Sequence, residues 1–413
     1  MTCQQPERFH IAIHEDHLRL LQDKLSVTTL PDELDEAGWD YGVPLADVRE
    51  LVAYWKNGFN WKEQEARLNA NLPQFTLDIP VDGFETLNIH FVHQRSAVTH
   101  AIPLLFIHGW PGSFLEVSKV LPLLSTPAKG QPSFHVVAIS LPAYGFSQGT
   151  KKKGFGLAQY AEIGNKLMLS LGYNKYVTQG GDWGFRITRM IGSMYGGTHC
   201  LGSHINMPMG FKPRFFTNPL LWLHHALTPY SREEKLGFER EERFQRLGAG
   251  YRAIQGTRPQ TLGYSLADSP VGLLAWIYEK LREWTDDYPW TKDEILTWVS
   301  IYVFSRDGPA ASLRIYYEVI RQGQRELAIH PMSKVPLGIS FFPKEIYHPP
   351  RDFARTLGNV VFESVHQSGG HFAAYEKPQL IANDLRAMFG KNGPAFGMVP
   401  GNNGYDRKTK TRL

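Results

Sequence analysis

Gly180-Gly181-Asp182-Trp183-Gly184 lies where Tyr176 to Gly181, which reads as a short strand, gives way to Gly184 to Gly196, whose spaced apolar residues and arginines suit a helix. A strand that enters a helix through so few residues must turn sharply, and the glycines remove side chains that would crowd the turn. Asp182 occupies its apex. In a strand-turn-helix of this kind the apex side chain projects from the end of a sheet, and here it is a carboxylate. The amides and positive dipole end at the helix start are expected to keep that carboxylate ionised. Taken alone the string also fits an ordinary acidic turn, so neighbouring segments must decide.

Ala101 to Ile107 is a continuous apolar run, as expected of a strand covered on both faces, and it leads directly into His108-Gly109-Trp110-Pro111-Gly112-Ser113. Two glycines and a proline prescribe a tight loop, which can turn the Trp110 amide inward opposite the Trp183 amide to make an oxyanion hole. A purely structural turn is the alternative. His108 is expected to order this loop, because a general base belongs nearer the other end of the chain. Val360 to Val365 reads as a late strand, followed by Ser368-Gly369-Gly370-His371-Phe372 and a helical segment from Pro378 to Phe389. That makes His371 the expected base. An orienting acid should lie between Asp182 and His371 at another strand end; Val335 to Phe342 is such a strand, and Glu345 follows it. Glu363, inside a strand pattern, and Asp352, farther past the strand end, are its competitors. Nucleophile, acid, histidine is the order of the α/β-hydrolase fold, an α/β architecture with a mostly parallel central sheet.

A serine nucleophile attacks acyl carbon, whereas a carboxylate can displace a leaving group from alkyl carbon and form an alkyl-enzyme ester. Water activated by His371 must then clear the ester, with the Trp110 and Trp183 amides meeting the oxyanion that develops on Asp182. An epoxide leaves as an alkoxide and requires a proton donor, a task suited to tyrosine; a halide requires only neutral donors such as an indole N–H. The elbow does not choose between them. Tyr251, and Tyr316 beside Tyr317, lie in segments between Asp182 and Glu345 that are expected above the sheet, although the chain has 18 tyrosines and most must serve packing or the surface.

Beyond these motifs the chain resembles the microsomal-type epoxide hydrolases, including their soluble fungal and bacterial members. Tyr54 to Trp61 with Glu63-Gln64-Glu65 resembles the leading segment of that family, and Leu87 to His93 its first strand. His108 to Phe114, Gly180 to Gly184, Gly263 to Glu283, Ser340 to Glu345 and Gly369 to Tyr375 continue the match over roughly residues 5 to 390. The resemblance implies an epoxide hydrolase that needs no cofactor or metal: Asp182 as nucleophile, His371 and Glu345 as base and acid, and Tyr251 with Tyr316 as the paired lid tyrosines that activate the epoxide oxygen. A homodimer is also implied by it. A haloalkane dehalogenase with the same aspartate, and a noncatalytic binding protein that keeps the residues for structure, are the alternative readings.

The expected division is an N-terminal segment (1–95) that winds around the core as a meander, a hydrolase core (96–209), a mostly helical lid (210–333), a returning core half (334–390) and a tail (391–413). Asp82-Gly83 between two alternating runs signals a hairpin. Asp32-Glu33 and Asp35-Glu36 are candidate helix starts; the tail, mixing Gly, Pro and Asn, is expected either to be mobile or to pack through Phe396 and Met398, locally or at a subunit contact. Net charge is +4 and spread along the chain, which makes no case for nucleic acid. Met1 to Leu20 is interrupted by charges, so neither a membrane anchor nor a secretory leader is expected and the default compartment is the cytoplasm. Thr411-Arg412-Leu413 lacks the small residue of a peroxisomal address. Two cysteines, Cys3 and Cys200, make neither a disulfide framework nor a metal signature, and the adjacent His224 and His225 do not form a metal pair. The expected partners are a small epoxide and water. Abundant aromatic residues suit an aromatic or lipophilic substrate, and whether the enzyme is a detoxifying generalist stays open.

Overall fold

A computed structural model describes residues 5–324 and 335–406. Nine strands form one sheet in the order β1-β2-β3-β5-β4-β6-β7-β8-β9: β1 Glu7–Arg8, β2 Gln74–Pro80, β3 Thr86–Gln94, β4 Ile102–Ile107, β5 Phe134–Ile139, β6 Tyr176–Gly180, β7 Cys200–Ile205, β8 Leu337–Phe341 and β9 Val360–Val365. From β5 to β9 every neighbouring pair is parallel, while β1, β2 and β3 add an antiparallel edge. The Asp82-Gly83 hairpin pairs Pro80 with Thr86, and Gly83 supplies the positive φ its turn requires.

Every residue of β4 is buried, which is why its sequence is apolar without alternation. Its neighbours β5 and β6 lie on opposite sides, so consecutive crossovers depart in opposite directions and leave a crevice at the carboxyl ends of β4 and β6. Helices Leu157–Ser170 and Trp183–Tyr195 pack against each other, while Pro378–Phe389 packs on Leu121–Ser125 and β8.

Between β7 and β8 the chain leaves the sheet and forms a succession of helices, among them Gly250–Thr257, Pro270–Glu283, Lys292–Val303 and Arg314–Arg321. The N-terminal helices Glu15–Ser26 and Leu45–Asn57 pack against Pro270–Glu283, and Trp61–Asn71 packs against Lys292–Val303. They brace the insertion.

One expectation is corrected and one pair of alternatives is decided. Residues 32 to 36 start no helix; instead the Glu33 carboxylate accepts the Leu45 amide at 2.7 Å, capping a helix twelve residues away whose own preceding residue, Pro44, has no capping side chain. The tail is packed as far as it is described: Ala395 and Val399 are buried, and Gly404 exchanges backbone hydrogen bonds with Ser133 and His100. Thr411-Arg412-Leu413 and Cys3 lie outside the described residues. No described helix is long and apolar enough to cross a membrane, and no metal-ligand cluster occurs among the described residues.

Candidate active site

The loops that follow β4, β6, β8 and β9 meet over the crevice. Asp182 turns from β6 into its helix at φ 50° and ψ −123°, a conformation strained for any residue other than glycine and one that persists because its surroundings over-determine it. Close packing explains the glycines around it: a Cβ on Gly184 would meet the Ile107 carbonyl oxygen at 2.0 Å, and one on Gly109 would meet Asp182 Oδ1 at 2.2 Å.

Asp182 Oδ1 accepts the Trp110 amide at 2.8 Å, and the Trp183 amide also hydrogen-bonds to this carboxylate. Its other oxygen, Oδ2, lies 3.7 Å from His371 Nε2. His371 Nδ1 is 2.6 Å from Glu345 Oε1, and Glu345 is 1% exposed. The two loops are tied to each other by a parallel bridge between Lys344 and Gly370, and the His371 amide donates to the Trp284 carbonyl at 2.8 Å. His108 stands apart from this group: it holds its own loop, with Nδ1 2.9 Å from the Gly109 carbonyl and Nε2 accepting the Leu141 amide at 3.1 Å.

The electrostatics depart from the expectation that amides and a helix dipole would by themselves settle the charge on Asp182. Burial raises its pKa above the ordinary carboxylate value, opposed by the His371 imidazolium and the Trp110 and Trp183 amides. Burial alone would depress His371, but the Glu345 carboxylate, followed by Asp182, overcomes this and lifts it to about 9. Each charge in this buried cluster is thus set by its neighbours and not by the helix start alone.

Tyr251, on Gly250–Thr257, and Tyr316, on Arg314–Arg321, are both buried. The Tyr251 ring stacks on Trp110 at 5.2 Å, and the Tyr316 ring meets Trp183 edge-on at 4.7 Å. Their centroids are 5.9 Å apart. Tyr316 Oη is buried beside the Trp183 and Tyr251 side chains and makes no hydrogen bond of good geometry among the described residues. Tyr317 is only partly buried and stacks under Arg321. Glu363 pairs with Arg351 and Arg355, and Asp352 pairs with His224 and Arg355, so neither competitor of Glu345 reaches His371. His225 packs on Tyr230 and Phe353.

Asp182, Tyr251, Tyr316, Ile320 and Tyr347 line a cavity of about 30 Å³, against the ~300 Å³ or more of an ordinary small-molecule site. Glu116 is a member of this neighbourhood that the motifs did not reveal. Desolvation, with the Asp182 and Glu345 charges adding and His371 opposing, pushes its carboxyl up to about 8. Its Oε1 lies 3.5 Å from the Gly109 amide, so successive amides of one loop face two carboxyls. The signal that could have found it is a lone acid inside the apolar turn Phe114-Leu115-Glu116-Val117.

Comparison with known proteins agrees with this architecture. A family profile described as "Epoxide hydrolase N terminus" matches residues 6–117, and one described as "alpha/beta hydrolase fold" matches 102–222. Epoxide hydrolase 1 of Sus scrofa is 32% identical over 411 residues, covering 92% of this chain and 88% of its own. Among solved structures, Aspergillus niger epoxide hydrolase superposes with a TM-score of 0.80 at 35% identity, covering 93% of this chain and 95% of that one. The juvenile hormone epoxide hydrolase of Bombyx mori does so with a TM-score of 0.82 at 29% identity, covering 92% and 93%. Matched in sequence and in fold over nearly its whole length, the chain belongs to the epoxide hydrolase family of the α/β-hydrolase fold.

Proposed function

We propose that this protein adds water to an epoxide, giving a vicinal diol, through an ester on Asp182. The observation that carries the reading is the position of the Asp182 carboxylate, bound at one oxygen by the Trp110 amide, facing His371 with the other, and sharing one cavity with Tyr251 and Tyr316.

In the first half-reaction a carboxylate oxygen of Asp182 attacks a ring carbon, the C–O bond of the epoxide breaks, and its electron pair leaves on oxygen. The phenols of Tyr251 and Tyr316 donate to that oxygen, which leaves as an alcohol. In the second, His371 takes a proton from water, which attacks Cγ of the ester; the Trp110 and Trp183 amides stabilise the oxyanion and the diol departs. Glu345 holds the imidazole in the tautomer and orientation this requires. Residues of the insertion before 325 serve as the lid.

Paired buried phenols favour an epoxide over an alkyl halide, because a halide leaves as a stable anion and has no use for a proton donor. The lining, with Trp183, Met207, Ile320 and Ile346 beside the polar groups, suits a lipophilic epoxide.

Rapid-quench mass spectrometry with a styrene-type epoxide tests it. His371→Gln should accumulate protein heavier by one substrate and turn over about 10²- to 10⁴-fold more slowly. A bound substrate that leaves no adduct on that variant would overturn the ester mechanism.

A further inference from the structure

Lys280, on Pro270–Glu283, is 2% exposed. A buried ammonium is costly unless negative charge or π-density faces it. Both do so here. Nζ pairs with the Glu279 carboxylate, and it lies 5.2 Å from the Tyr251 ring centroid and 5.2 Å from that of Trp276. Trp276 is fixed in turn, its indole N–H donating at 3.1 Å to Oε1 of Gln255, one turn beyond Tyr251 on the same helix. Glu279 reaches toward the N-terminal segment, its Oε2 3.5 Å from where a Cβ on Gly42 would stand. The cation is therefore held from two sides against the ring whose hydroxyl serves the cavity.

We propose that Lys280 is a positioning residue for Tyr251: its ammonium holds the phenol ring in register with Asp182 and stabilises the negative charge that grows on the phenol oxygen as the epoxide opens. This rests on the reading of Tyr251 as a proton donor. As the ester bond forms and the ring C–O bond breaks, the alkoxide takes the Tyr251 proton and leaves a phenolate. The proton that His371 removes from water in the second half-reaction restores the phenol, so the cycle closes on epoxide plus water. A cation beside the ring lowers the cost of the phenolate interval, and the apolar surroundings strengthen its effect.

Single-turnover measurement of alkylation and of ester hydrolysis, on the full chain with a styrene-type epoxide, tests this. Lys280→Met keeps the apolar stem and removes the charge; it should slow alkylation about tenfold and leave ester hydrolysis unchanged. Lys280→Arg should recover most of the rate. In a Tyr251→Phe background, Lys280→Met should add no further loss, because the lysine acts through the phenol. Equal slowing of both steps, the same factor in the Tyr251→Phe background, or alkylation at the unsubstituted rate would each overturn the role of Lys280. Tyr251→Phe that by itself leaves alkylation unchanged would instead overturn the underlying reading of Tyr251. Should Lys280→Met not fold, as judged by circular dichroism, Lys280→Gln carries the same comparison.

Discussion

His371 Nε2 stands 3.7 Å from Asp182 Oδ2, too far for a direct hydrogen bond and close enough for one water to be shared between them. The distance has an electrostatic consequence. While Asp182 is charged it helps Glu345 hold the imidazolium against burial, at about 9. Loss of the Asp182 charge removes part of that support, while the larger contribution of Glu345 stays.

Asp182→Asn should therefore do two things. It should abolish the covalent adduct, and it should lower the His371 titration midpoint from about 9 toward the ordinary value near ~6.5. Imidazole NMR across pH measures the second effect. A midpoint that stays where it was would show that Glu345 alone sets the charge.

Tyr251→Phe and Tyr316→Phe should each slow alkylation by roughly 10- to 100-fold while leaving hydrolysis of the ester nearly untouched. Each variant keeps its ring and removes only a hydroxyl, so the packing against Trp110 and Trp183 is preserved. Equal losses in both half-reactions would count against proton donation.

Glu345→Gln removes the charge that orients His371 and should slow ester hydrolysis by about 10²-fold or more. Glu363→Gln, whose partners are Arg351 and Arg355, should leave both steps unchanged. Pre-steady-state rates of the two variants separate the orienting acid from a peripheral ion pair. A loss of hydrolysis in the Glu363 variant would contradict the assignment.

Stability should fall on the acid side of neutrality. Burial pushes His90 to about 3 and both His108 and His204 to about 4. An unfolded histidine takes its proton near ~6.5. Between that value and about 4 the unfolded chain binds protons that the native fold refuses, so each such group costs about 2 kcal/mol at a pH near ~5. Glu116 acts with the opposite sign: its raised carboxyl favours the fold at low pH, and that share is lost as pH rises through about 8. His204→Gln should flatten the decline of Tm between pH ~6.5 and ~5. An unaltered slope would show that His204 titrates freely in the native state.

What could be read along the chain was whatever the backbone demands locally. A strand that turns into a helix at Asp182, a glycine-proline loop after an apolar strand, and a histidine loop after a late strand each leave a short-range pattern of glycines and apolar runs. Chain order then linked Asp182, Glu345 and His371, because the fold admits few arrangements of parallel strands. Resemblance supplied the tyrosines, whose local sequence carries no mark of function.

Tertiary structure alone decided the rest. Tyr316 and Tyr317 are neighbours in sequence, but one helix face turns only the first toward Asp182. Glu33 caps a helix it does not belong to, Gly404 and Asp406 are pinned by Ser133, His100 and Thr99, Glu116 is desolvated beside Asp182 and Glu345, and Lys280 is buried against the Tyr251 ring of another helix. The physical reason is range: steric limits on φ and ψ act between adjacent residues and are written in the sequence, whereas desolvation and charge coupling depend on which distant segments the fold packs together.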